Sequence, residues 1–236
     1  MNSSRSVRGL LAGALLLLIL GFLPGGAQPA NATSPTTITL ASGTSVNDQN
    51  GDPAVVVTPN ARWGSIPGAF WINSPADDGS DDTFTITFAL PAAYFGVQLS
   101  GAFFADNWAT VWLNGVQIAA QTAGDVYPNY GYDDSLGTPT APPTSFLAIG
   151  GFVPGANTLM FQVSNAGGPP NDGNPEALDF LATVTFLTVA TDKDQCKKGG
   201  WEDLVDSEGN SFKNQGDCVS YVATGGKNLG AIAAED

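Results

Sequence analysis

The sequence predicts an all-β protein: a two-sheet β-sandwich of the jelly-roll type, followed by a small cysteine-paired segment. Three observations carry that prediction. Apolar and polar residues alternate with period two in several short runs, and Ala109, Val111 and Leu113 against Thr110 and Trp112 is the clearest example. Such alternation is the mark of a strand with one buried face. Turn dipeptides end the runs: Asn114-Gly115, best suited to a tight hairpin, and Pro154-Gly155. No segment of useful length keeps apolar residues at helical spacing, and several strands without helices between them indicate a sandwich rather than a parallel α/β sheet.

Residues 1–32 read as an export signal. Arg5 and Arg8 form a positive start, Leu10 to Leu23 is apolar, and Ala30-Asn31-Ala32 supplies small residues at a cleavage site, with Ala27 as a secondary position. The alternative, a retained anchor, meets an apolar run short of the roughly 20 residues a span needs. No later stretch is apolar enough to span a membrane. A secreted, extracellular product is therefore expected.

The chain carries 22 acidic residues against eight basic ones and no histidine, for a net charge of −14. Removing the leader takes two arginines and no acid. Arg62 is then the only basic residue between Thr33 and Thr191. A surface of this kind repels nucleic acid and anionic membranes, since phosphate binding requires clustered Lys and Arg. The lack of histidine excludes His-based triads and His metal ligands.

Residues 33–190 form the expected sandwich domain, long enough for one substantial core. Thr36–Leu40 and Ala54–Thr58 read as early strands. Phe84, Ile86, Phe88 and Leu90 alternate with threonines, and Val97, Leu99 and Phe103 continue the pattern with Gly101 as an expected bulge. Ser145–Ile149 is short and apolar. Leu159, Phe161 and Val163 alternate after Pro154-Gly155, and Phe180, Ala182, Val184 and Phe186 form the closing strand.

The run A-T-V-W-L-N-G at Ala109–Gly115 and P-G-A-N-T-L-x-F-x-V at Pro154–Val163 resemble the galactose-binding-domain-like β-sandwich of secreted bacterial proteins. Trp63-Gly64 and Trp71-Ile72 add weaker support. The resemblance implies the sandwich fold and a sugar-binding or structural role, and such domains often carry a structural calcium. Both motifs are explained by hairpin mechanics, so they speak for fold more than for ligand.

Two loops stand out as candidate sites. Tyr127, Tyr130 and Tyr132 interleave with Asp and Asn residues between Gly124 and Asp134, supplying flat faces for C–H stacking and polar groups for ring hydroxyls. Asp106, Asn107 and Trp108 at a strand start are expected to join them in a carbohydrate site. The bland alternative is a surface loop whose tyrosines pack on the sandwich edge. In the second loop, Asp77, Asp78, Asp81 and Asp82 place four carboxylates within six residues. They could ligate Ca²⁺, although the spacing is not that of an EF-hand and a solvated acidic turn is the simpler state. No nucleophile elbow, phosphate loop or cofactor fingerprint is present, and no catalytic residue is assigned.

From Thr191 the composition changes. Residues 191–236 contain both cysteines, Cys196 and Cys218, within C-K-K-G-G-W and F-K-N-Q-G-D-C-V-S. In an exported chain the pair is expected to be a disulfide. Such a link lowers denatured-state entropy by roughly 3.5 kcal/mol in the chain-entropy model. Trp201, Phe212, Tyr221 and Val222 are its expected miniature core. The pattern resembles a short C-terminal module of secreted bacterial proteins, to which no activity attaches.

The function expected from these residues is non-enzymatic binding of carbohydrate or another extracellular polymer. A structural surface protein with protein partners is the rival, and a hydrolase using paired carboxylates the third reading.

Overall fold

The computed structural model describes residues 33–75, 81–121, 129–132, 136–165 and 176–230. Among these the strands are β1 (Thr36–Ala41), β2 (Val55–Val56), β3 (Ile72–Asn73), β4 (Asp82–Leu90), β5 (Tyr94–Asp106) and β6 (Trp108–Leu113). They continue with β7 (Val116–Ala120), β8 (Thr144–Ala148), β9 (Gly155–Ser164) and β10 (Ala177–Val189). A 3₁₀ turn at Gly200–Asp203, β11 (Leu204–Val205) and helix α1 (Gln215–Ala223) complete the chain.

The expected two-sheet sandwich is what these elements form. One sheet has four strands in the order β4-β9-β6-β7, antiparallel throughout. The other has seven strands on the path β2-β3-β10-β5-β8, with β1 and β11 also paired to β10. The Asn114-Gly115 hairpin joins β6 to β7, and both residues hold positive φ, at 48° and 79°. The Asn114 amide reinforces the turn, donating to the Gly151 carbonyl at 2.9 Å and to Asn157 Oδ1 at 2.7 Å.

The period-two alternation directs one residue set inward from each sheet. Phe84, Leu113, Leu159, Phe161 and Val163 of the four-stranded sheet meet Leu99, Phe103, Leu178, Phe180 and Val184 of the other. Phe161 is the link between the layers. Its ring stacks on Phe180 with centroids 4.5 Å apart and meets Phe103 and Phe146 edge-on at 5.7 and 6.0 Å. Gly101 is not a bulge. It stays in register between Ala182 and Phe146, and a Cβ there would lie 2.4 Å from the Phe146 ring. The β5–β10 pairing is irregular instead where Gly96 and Val97 of β5 face the single residue Phe186 of β10, Gly96 holding a φ of 62°. A second register shift falls between Val111 and Trp112 in the β6–β7 pair.

Cys196 and Cys218 form a disulfide with their Cα atoms 5.8 Å apart. Around it Leu204, Val205, Phe212 and Tyr221 are buried together with Val189 and Ala190, and Trp201 and Val222 pack partly against them. Asn214 caps α1, its side-chain oxygen accepting from the Asp217 N–H at 3.0 Å. β11 pairs parallel with the end of β10, Thr188 opposite Leu204 and Val189 opposite Val205. No helix among the described residues is long and apolar enough to cross a membrane.

Because Phe161 is fully buried between the sheets, Phe161→Ala is expected to lower the unfolding free energy by about 3–5 kcal/mol. Guanidinium unfolding followed by circular dichroism measures it, and a loss below about 1 kcal/mol would mean the layers are not joined through this ring.

Candidate functional site

The sites picked out in the sequence separate onto the outer faces of the two sheets. Between Asp106 and Trp108 the chain crosses from β5 in one sheet to β6 in the other, so neighbours in sequence serve different surfaces.

The outer face of the seven-stranded sheet is covered at this end. Trp63 and Trp71 stack with centroids 4.3 Å apart, Phe104 lies beyond Trp71, and Ile66, Tyr130 and Ala177 complete a second apolar cluster. Polar groups fasten this cover to the strands. Trp63 Nε1 donates to Asp106 Oδ2 at 2.7 Å, and Trp71 Nε1 donates to the Gly64 carbonyl at 2.7 Å. Asp179 accepts from the Ile66 N–H at 3.0 Å and from Ser42 Oγ at 3.1 Å. The Gly64 N–H donates to the Tyr130 carbonyl at 2.7 Å.

Four of the six expected carbohydrate contacts belong to this covered region. Asp106 is 5% exposed and also accepts from Asn107 Nδ2 at 2.8 Å; Asn107 is buried beside it. Tyr130 is 7% exposed, and its ring packs in the second cluster rather than lying open as a platform. Tyr132 is half-buried, and the Arg62 guanidinium lies 5.0 Å above its ring, occupying that face. Tyr127 lies outside the described residues.

Burial dominates the electrostatics here. Removal from water pushes the Asp106 carboxyl up to about 6, against the smaller opposing effect of the Trp63 N–H. Asp179 is raised for the same reason, partly offset by the Ile66 N–H and Ser42.

Trp108, the sixth expected contact, is on the opposite surface. β6 buries Ala109, Val111 and Leu113 and turns Trp108, Thr110 and Trp112 outward, each half-buried. In register across from them on β9 are Ser164, Gln162 and Met160, and beyond these on β4 come Thr83 and Thr85. Neither indole has an aromatic partner among the described residues, and neither belongs to an apolar cluster. Trp112 Nε1 is withdrawn from solvent and finds no hydrogen-bond partner among the described residues. What Trp112 shows to solvent is therefore ring carbon.

Trp112 was not among the candidates drawn from the sequence. Its signal was the same alternation that located the strand: four residues from Trp108, it must share that residue's face.

For the acidic loop, Asp77 and Asp78 lie outside the described residues. Asp81 Oδ2 accepts from Ser164 Oγ at 3.2 Å, and Asp82 is buried and accepts from Gln49 Nε2 at 2.5 Å. Among the described residues no group of three or more acidic or thiol side chains is gathered to hold a metal. The buried acids are engaged by the protein itself: the Asp82 N–H donates to Glu176 Oε1 at 3.2 Å, beside the tethers of Asp106 and Asp179. An open pocket of about 440 Å³ lies at the other end of β5, between Tyr94–Gln98 and Ile149–Phe152. It holds none of the expected site residues.

No family model and no curated protein matches this sequence. Among solved structures the chain is similar to a family 35 carbohydrate-binding module from Clostridium thermocellum, at 12% identity and a TM-score of 0.36, covering 63% of this chain and 97% of that one. It is similar to the CBM35 from Paenibacillus barcinonensis at 14% identity and a TM-score of 0.35, covering 62% and 97%. It also resembles part of the Streptomyces avermitilis alpha-L-rhamnosidase, at 20% identity and a TM-score of 0.35, over 60% of this chain and 13% of that one.

The Asp106 carboxyl gives a pH prediction. Titrating at about 6 when folded and near 3.8 when unfolded, it binds its proton more tightly in the folded state. Its contribution to stability grows as pH falls from 7 through 6 toward 4, and is lost as pH rises again, by roughly 3 kcal/mol in all. Melting curves across that range are expected to show a flatter pH dependence for Asp106→Asn than for the parent. Parallel curves would mean that Asp106 ionises as freely in the fold as outside it.

Proposed function

We propose that this protein is an exported, non-enzymatic module that binds carbohydrate, through the outer face of its four-stranded sheet. One observation carries the reading: Trp108 and Trp112 stand on one strand face with no aromatic partner among the described residues, beside Thr, Ser and Gln side chains and Met160. A sugar ring offers the complement, C–H groups on its faces and hydroxyls around its rim. Indole carbon takes the first, and amides and hydroxyls take the second. Export agrees with the leader read in residues 1–32 and with the Cys196–Cys218 disulfide, which belongs to an oxidising compartment. Tyr132 and Asn107 would then support the cover at this end of the sandwich.

In the same reading the expected calcium ligands Asp77, Asp78 and Asp81 hold Ca²⁺ as a structural ion, with Asp82, turned inward at the start of β4 and bonded to Gln49, behind them. Stability should respond to it. Calcium is expected to raise the melting temperature by a few degrees, as ligand linkage does at ion concentrations well above Kd, with reversal by chelator. Identical melts in calcium and in chelator would leave the turn as a solvated acidic loop.

A glycan array probed with the mature protein, in calcium and in chelator, tests the main reading. Saturable binding to a glycan class is expected, reduced at least about tenfold in Trp112→Ala. The melting temperature of that variant should stay close to the parent's, since the half-buried ring joins none of the buried apolar clusters. Binding in the parent that Trp108→Ala and Trp112→Ala leave intact would move the site elsewhere. A blank array in both conditions would turn the assignment to a structural protein with protein partners.

A further inference from the structure

Resting on the carbohydrate reading above, we infer that the ligand is an uncharged polysaccharide chain, laid along β6 so that different sugar residues stack on Trp108 and Trp112.

The four strands of this sheet contain a single ionisable residue, Asp82, and it is buried on the inner side. The outward residues around the indoles are Thr83 and Thr85 on β4, Met160, Gln162 and Ser164 on β9, and Thr110 between the two rings, and those farther along β4 and β9 are threonine and alanine. No cation here can pair with a uronate or sulfate. Arg62, the one basic residue of the sandwich, belongs to the other sheet's cover, over Tyr132, and every lysine lies at position 193 or later. The net charge of −14 adds a general repulsion of polyanions. For a cationic polymer the strands carry no outward carboxylate; the nearest described one, Asp81 just ahead of β4, is engaged by Ser164 Oγ and the Asn165 N–H, each at 3.2 Å. The face is matched to a neutral ligand.

The length argument follows from strand geometry. Four residues at about 3.3 Å each separate the two indoles by roughly 13 Å along β6. A single pyranose ring cannot reach both. A chain can, and Gln162, opposite Thr110, lies between the two stacking positions with an amide that both donates and accepts. Along β6 the two indoles are separated by Thr110, with Gln162 across from it, while Met160 faces Trp112.

Native affinity electrophoresis of the mature protein tests this, in gels carrying a neutral glucan, xylan or mannan and in parallel gels carrying polygalacturonate or alginate. Retardation by at least one neutral polymer and by neither acidic one is expected, unchanged by moderate sodium chloride. Titration with an oligosaccharide ladder of the retarding polymer should show affinity rising with length in the parent. In Trp108→Ala and in Trp112→Ala the rise should stop at shorter oligomers, with about tenfold loss on the longest. Trp112→Phe, which keeps a stacking ring, should recover most of that loss and guards against misfolding of the alanine variant. Retention by the acidic polymers that fades with salt would overturn the neutral-ligand inference while leaving carbohydrate binding standing. Equal affinity for a monosaccharide and its long oligomer would overturn the two-ring footprint. No retardation by any polymer would remove the carbohydrate reading itself.

Discussion

The fold hangs on β10, a strand longer than any one partner on one of its two edges. Along the first edge β5 pairs with it almost from end to end. The other edge is filled by three short pieces in turn: β3 at Leu178, β1 from Leu181 to Phe186, and β11 at Thr188 and Val189. Backbone N–H and C=O groups cannot be left buried without partners, so a long central strand needs this sequence of short ones. Its inward residues, Leu178, Phe180 and Val184, simultaneously supply the floor against which Phe161 packs. Pairing and packing therefore meet in the same thirteen residues.

The two outer faces of the sandwich are treated differently. On the seven-stranded sheet, carboxylates are used as tethers. Asp106 and Asp179 are buried at a cost in desolvation, and each recovers part of it by holding a covering element: the Trp63 indole in one case, the Ile66 main chain and Ser42 in the other. On the four-stranded sheet no such tethers are seen among the described residues, and the tryptophans are half-buried beside Met160, Gln162 and Ser164 without joining a buried apolar cluster. The first face closes the protein. The second presents it.

How much of this was legible in the residues follows from the range of the interactions. Strand alternation is local, so β4, β5, β6, β9 and β10 could be located from period two alone, and the hairpin from Asn114-Gly115. β3 and β11 are two residues each and leave no periodic trace; they exist because β10 has an edge to fill. Gly101 looked like a bulge because its reason for being glycine, the Phe146 ring above it, comes from a strand more than forty positions later. Tyr130 looked like a platform because a tyrosine among Asp and Asn residues reads as exposed, and only the arrival of Trp63 and Trp71 buries it. Trp112 was the reverse case: the alternation set it with Thr110 opposite the buried residues, but, lying mid-strand rather than in a loop, it was not counted among the candidate contacts.

The parallel contact between β11 and the end of β10 has a consequence for assembly. An unfilled strand edge is a template for another chain, and β10 is complete before Leu204 and Val205 are synthesised. Until those residues arrive, the last two positions of β10 offer their hydrogen bonds to any extended segment nearby, including a second copy of the same molecule. The disulfide closes the segment that contains Leu204 and Val205, and so tethers the short strand that occupies those last two positions of β10.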